Sequence, residues 1–173
     1  KERRMKEMDI LYKDVSSVSL IVGTFMFICV WVNRVELFSL LPDEYAEGIW
    51  VFLFLMIGRL VDMYFGINGN ILLNSKKYKI DIIFTLILII TVFGLNYWLI
   101  PIYGITGAAI STMVGLVLYN MLRLVFVWVK FKFHPFRSNN ITVFILLGIT
   151  LLVSHFTPSI STNWYLSVIQ NLV

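Results

Sequence analysis

The chain has 173 residues, 59% of them hydrophobic and only 14% charged, with a mean hydropathy of +0.85. That balance excludes an ordinary water-soluble domain and a disordered chain alike. The net charge of +4 lies mostly beside long apolar blocks, which points to a membrane rather than to nucleic acid.

In chain order, residues 1–14 (KERRMKEMDILYKD) hold five cations and four anions and suit a helical extension or a loop at the membrane surface. The first apolar block is 15–32; its Cys29 is the chain's single cysteine and has no internal partner. Residues 33–48 carry four of the ten acids and one cation, with Pro42 and Gly48 marking a turn.

The second block, 49–73 (IWVFLFLMIGRLVDMYFGINGNILL), would form a helix about 37 Å long, enough to span a bilayer with some tilt. Arg59 and Asp62 interrupt it near the middle. The insertion free energy of its Leu, Ile, Val and Phe residues, about 6 kcal/mol, is roughly matched by the opposing cost of the two charges. The pair must therefore turn away from lipid. Three residues apart, Arg59 and Asp62 share a helical face that Gly66 and Asn70 continue. The stripe is either a structural ion pair or the lining of a translocation cavity that meets an anionic substrate or changes protonation.

The stretch 74–79 (NSKKYK) has three lysines and no acid. A third block, 82–100, ends in the interfacial pair Tyr97 and Trp98, and Asp81 is placed to cap its first turn. After the tight loop 101–105, a fourth block runs from 106 to 129. There Gly107, Ser111 and Gly115, and likewise Ala108 and Thr112, repeat at four-residue spacing. Such stripes let helix backbones approach closely in lipid, and one that moves in transport would be a sliding interface. Arg123 near the end of this block either snorkels to the headgroups or faces inward, where its planar fork would suit a diphosphate. Loop 130–137, with Lys130, Lys132, His134 and Arg137, precedes a fifth block at 141–156, and 164–173 reads as the start of a sixth crossing. Tyr64, Asn68 and Asn96 lie at membrane depth and should bond to neighbouring helices; His134 and His155 should be peripheral.

The fold expected is all-α: about five full transmembrane helices plus the start of a sixth, with residues 1–14 as a surface segment and 15–173 as a helical bundle. Stretches 1–14, 74–79 and 130–137 hold eleven of the fourteen cations, whereas 33–48, 101–105 and 155–163 hold only Arg34. The positive-inside rule makes the first three cytoplasmic and places the Asn140 sequon beside a cytoplasmic loop, where glycosylation is not expected. The terminal lysine, the lack of a signal peptide and the ending within an apolar segment suggest a fragment of a longer protein. No phosphate-binding glycine loop, HExxH, CxxC or GxSxG occurs, and the histidines lack metal-ligand spacing, so neither an enzyme nor a metal or other cofactor is expected.

The run LIPIYGITGAAIST, residues 99–112, resembles a signature of the polysaccharide-biosynthesis C-terminal domain of oligosaccharide flippases in the MOP (MATE-like) superfamily, which includes O-antigen flippases. LFSLLPDEYAEG (37–48), IGRLVDMYFGINGNILLNSKKY (57–78) and VFVWVKFKFHPF (125–136) extend the resemblance over most of the chain. The resemblance implies part of one lobe of a two-lobed transporter in a bacterial inner membrane. By alternating access it would move a lipid-linked oligosaccharide, of undecaprenyl-diphosphate type, to the outer leaflet for surface polysaccharide such as lipopolysaccharide, with polysaccharide assembly proteins as partners. Arg59, Asp62, Asn70 and Arg123 are the candidates for its charged head. A cation-coupled small-molecule exporter and a non-transporting membrane scaffold are the alternatives.

Overall fold

A computed structural model describes residues 2–42, 45 and 48–156, with side chains described outside 2–6, 35–36, 39, 138–139 and 154–156. The expected sixth segment, 164–173, lies outside the described residues, as do the stretch 157–163 and the side chain of His155. The order of elements is α1 (Glu2–Val32), α2 (Arg34–Ser39), α3 (Gly48–Phe65), α4 (Ile67–Leu73), α5 (Tyr78–Phe131) and α6 (Ser138–Phe156). The described residues are all-helical, as the long apolar blocks require when backbone groups must be satisfied within each segment.

The charged first segment is continuous with the first apolar block in α1. An i,i+4 ion pair between Lys13 and Asp9 at 2.7 Å supports its opening turns. One face of α1 is buried, through Tyr12, Ser16, Leu20, Thr24, Phe27 and Trp31, while Val18, Ile21, Val22, Phe25 and Met26 point outward. The expected single helix over 49–73 is interrupted at Gly66, which divides α3 from α4. Gly66 itself keeps right-handed dihedrals (φ −56°, ψ −30°), so the interruption is a bend.

The third and fourth blocks are the two arms of α5, 78–103 and 105–131, each about 39 Å long at 1.5 Å per residue. Between them Gly104 adopts φ +55°, ψ −136°, three residues after Pro101. The chain doubles back there. Tyr119 lies 3.4 Å from Thr85 through their hydroxyls, Arg123 reaches Asp81, and a Cβ on Gly115 would meet Val92 at 2.4 Å. Tightest of all, a Cβ on Gly107 would lie 2.3 Å from the Leu99 carbonyl oxygen. The stripe of small residues is thus the seam of a helical hairpin, and the loop 101–105 is even shorter than its sequence suggested.

Three apolar layers join α1, α3, α4, α6 and the second arm of α5. Phe27, Trp31 and Leu60 form one end; Leu20, Tyr64, Phe65 and Leu124 form the middle; Tyr12, Leu72, Val127 and Phe133 form the other end. The second end gathers all three basic stretches: Arg137 pairs with Asp14 at 2.6 Å, and residues 74–75 and 131–133 share a groove with α1. The turn at Gly104 lies at the opposite end of the hairpin.

Glu7–Val32, Gly48–Phe65 and Tyr78–Phe131 are long and apolar enough to cross a membrane, whereas the apolar stretch in α6, Asn140–Val153, is shorter. The first arm of α5 carries an outward row of Ile82, Ile83, Leu86, Ile89, Ile90 and Phe93 that ends in exposed Tyr97 and Trp98. Such a band is the surface of a helical membrane protein.

Candidate functional site

Arg59 and Asp62 on α3 and Asp81 and Arg123 on α5 form two ion pairs. The first is Arg59 and Asp62 on α3. Their closest approach is 3.7 Å, and the side chains are 69% and 32% exposed. Asp62 turns toward the second arm of α5, where Asn120 Nδ2 donates to its Oδ1 at 3.1 Å. The same amide donates to the Leu116 carbonyl at 2.9 Å. Asn120 is fully buried. Arg59 stays on the outer surface of the described bundle, loosely tied to a carboxylate that is already shared.

Close backbone packing brings α3 to Asn120. A Cβ on Gly58 would lie 3.1 Å from Met113 Cα, so α3 approaches the arm here as small residues permit in membrane bundles. One helical turn further, Asp62 meets the arm.

The second pair is Arg123 and Asp81. Arg123 Nε donates to Asp81 Oδ1 at 2.6 Å and Nη2 to Oδ2 at 2.7 Å. This is the bidentate fork–fork geometry of a strong charge-assisted contact. The side chains are only 11% and 8% exposed. The guanidinium also stacks over the Tyr119 ring at 4.0 Å, and a Cβ on Gly69 of α4 would come within 2.7 Å of its Nη1. Arg123 is therefore enclosed by the two arms and α4 and does not snorkel to the headgroups. The expected N-terminal cap at Asp81 is likewise not formed: α5 begins at Tyr78 with Lys77 as N-cap and no side-chain capping bond, while both carboxylate oxygens serve Arg123. An opposite charge held by two hydrogen bonds outweighs a share of a helix dipole.

Asn70 does not continue the surface of Arg59 and Asp62. It lines a separate groove with α1 and the end of α5. Gly107, Ser111 and Gly115 are buried in the hairpin seam. Ser111 and Thr112 donate back to the carbonyls of Gly107 and Ala108 at 2.8 and 2.9 Å, so no hydroxyl of this stripe is left unbonded in the bundle.

Two of the intramembrane polar groups bond across helices as expected. Tyr12 Oη donates to Asn68 Oδ1 at 2.6 Å, and Tyr64 Oη accepts from Asn140 Nδ2 at 3.0 Å while reaching the Pro135 carbonyl at 3.4 Å. Asn96 differs, since its buried Oδ1 has no partner among the described residues. Asn140, the sequon residue, is 3% exposed, and its amide is committed to Tyr64 and Pro135. His134 is half-buried, stacked on Phe136 with ring centroids 6.3 Å apart.

The sequence reading missed Asn120 and the partnership of Asp81 with Arg123. One signal for them was present: Tyr119 and Arg123 extend the four-residue series Gly107, Ser111, Gly115, so whatever seam buries the glycines must also bury that arginine.

Among the described residues, the fold is all-helical with apolar helices long enough to cross a membrane, and α3 and α5 carry one open and one sealed ion pair. Compared with protein-family models, curated proteins and solved structures, the chain matches none.

Proposed function

We propose that this chain is part of a flippase that carries a lipid-linked oligosaccharide across a bacterial inner membrane by alternating access, with Arg59 receiving the anionic head. In this reading α1, α3, the two arms of α5 and α6 belong to one lobe of a two-lobed, MATE-like transporter, and the end that gathers the basic stretches faces the cytoplasm.

The observation that carries the proposal is the contrast between the two arginines. Arg123 is neutralised by a bidentate carboxylate and enclosed. Arg59, near the middle of an apolar helix, is 69% exposed and 3.7 Å from a carboxylate that also accepts from Asn120. A cation at that depth is strongly disfavoured against lipid tails. It is stable facing a watery cavity or an anion, and a diphosphate provides the latter with geometry a guanidinium matches. Asp62 then holds Arg59 while the cavity is empty and yields it when the substrate arrives. The resemblance of residues 99–112 supports the superfamily; the substrate class rests on Arg59.

The test is transport by full-length protein in sealed vesicles, read as the lipid-linked glycan exposed to a lectin on the trans side. Arg59→Gln is expected to lower the rate at least tenfold with unchanged protein level and fold, and Arg59→Lys to retain part of it. A well-folded Arg59→Gln protein that transports at the normal rate overturns the reading.

A further inference from the structure

A second feature lies at the basic end, away from Arg59. Between α1, α4 and the end of α5 runs a groove of about 470 Å³, within the roughly 300–1,000 Å³ typical of small-molecule sites. Its walls are mainly apolar: Val15 from α1, Ile67 and Ile71 from α4, and Phe131 and Phe133 from the end of α5 and the turn after it. Along α4 and just beyond it, Asn70, Asn74 and Ser75 add polar atoms.

Lysines adjoin these walls along the chain. Ser75 is followed directly by Lys76 and Lys77, and Phe131 is flanked by Lys130 and Lys132. All four lysines are exposed, and none has a carboxylate partner among the described residues. Lys79 is likewise exposed, whereas Lys13 pairs with Asp9 and Arg137 with Asp14. Within the second lysine pair, Lys132 takes a left-handed conformation (φ +62°) with its N–H bonded to the Trp128 carbonyl. That places a sharp turn between two groove-lining phenylalanines.

From this juxtaposition we infer that the groove binds an anionic glycerophospholipid of the adjacent leaflet, one acyl chain lying along Val15, Ile71 and Phe131 and the phosphate held by Lys76, Lys77, Lys130 and Lys132. A purely apolar partner would make no use of the four lysines next to the lining residues, and a free phosphate would leave the apolar walls uncovered. An anionic lipid satisfies both, as basic pockets between membrane helices do at the cytoplasmic surface. Bound there, the lipid bridges α1, α4 and α5, elements that meet at this end mainly through Tyr12, Leu72 and Val127. The inference requires a membrane setting but not a transported glycan.

The experiment is titration of the purified full-length protein in nonionic detergent with phosphatidylglycerol or phosphatidylcholine of the same chains, bound lipid being counted by native mass spectrometry. A saturable site preferring phosphatidylglycerol at least tenfold is expected. Each lysine near an anionic group contributes about fivefold, so the Lys76→Gln, Lys77→Gln, Lys130→Gln, Lys132→Gln protein should lose at least tenfold in affinity, and the fourfold arginine variant should recover it. A dihexanoyl phosphatidylglycerol should bind at least tenfold more weakly than the long-chain form. Equal binding of the two headgroups, an undiminished glutamine variant, equal binding of the short-chain lipid, or exclusion of lipid by self-association each overturns the assignment. If the glutamine variant does not fold, photolabelling of wild-type protein by phosphatidylglycerol with a photoreactive chain decides the matter: label on Phe131 or Phe133 supports the site, and label confined elsewhere overturns it. Arg59→Gln leaves this site intact, so transport and lipid retention fail separately.

Discussion

A guanidinium surrounded by a carboxylate, a tyrosine ring and a glycine has little freedom to adjust. Arg123 is in that position, with both Asp81 oxygens within 2.7 Å and the Gly69 Cα surface pressed against its Nη1. Removing one partner leaves an uncompensated buried charge, a loss of about 3–5 kcal/mol. Asp81→Asn or Arg123→Met should therefore strongly lower the unfolding midpoint in mild detergent. The Asp81→Leu, Arg123→Met double variant should be less destabilised than the sum of the singles, since it strands no charge. Gly69→Ala adds a methyl where the pinned guanidinium leaves no room, and about 1–3 kcal/mol of overpacking is expected. That effect should largely vanish in the Arg123→Met background, where the obstructing atoms are gone. Additive behaviour of Gly69→Ala and Arg123→Met would mean that the two residues do not touch. The four-residue series marked Arg123 for burial but not its partner, because Asp81 and Arg123 are 42 residues apart and meet only through the register of the hairpin. The Arg59–Asp62 pair could be read, because its i,i+3 spacing is itself the contact. What that spacing did not contain was the side on which α3 packs, so the exposure of Arg59 and the claim of Asn120 on Asp62 appear only in three dimensions.

At the scale of elements, the reversal in α5 depends on one dihedral pair and one close approach. Gly104, at φ +55° and ψ −136°, occupies backbone space that side chains rarely enter. Gly104→Ala should cost about 1–3 kcal/mol through strain alone, even though nothing lies within 4 Å of its missing Cβ. Gly94, on the same arm, also has open space around it but ordinary helical geometry. Gly94→Ala should accordingly be neutral or stabilising by up to about 1 kcal/mol. Thermal unfolding of the two variants side by side separates strain from packing; equal effects would argue against the tight reversal. Proline and glycine within 101–107 made this turn readable, since each removes a constraint or a hydrogen bond that a straight helix needs. The bend at Gly66 was not readable in the same way: its dihedrals remain helical, and a glycine that merely bends a helix has the same local sequence as one that packs within it. The α-helical continuation of residues 2–14 into the first span was one of two readings left open, because charges spaced four apart suit a helix and a surface loop equally well until the neighbouring helices cover Tyr12.

For the whole molecule, the question is how the ends of the bundle relate to the two sides of a membrane. Ser75 and Lys132 lie at the end of the hairpin where Arg137 meets Asp14, and Tyr103 lies at the reversal, about 39 Å away along either arm. That length exceeds the roughly 30 Å hydrocarbon core, so an arm lying along the bilayer normal puts its two ends in opposite water layers. Cationic stretches resist transfer to the outer side, and eleven of the fourteen cations are found in three stretches that the fold brings to one end. Both facts together support the orientation proposed above, with the Ser75 and Lys132 end cytoplasmic. In a background where the exposed native Cys29 is replaced by serine, single cysteines at positions 75, 103 and 132 should divide cleanly with a membrane-impermeant maleimide. Intact cells should label only position 103, and inside-out vesicles should label 75 and 132. If 103 labels from the same side as 75, the hairpin does not cross, the outward row from Ile82 to Phe93 lies flat on the membrane, and a transport path through Arg59 has no bilayer to traverse.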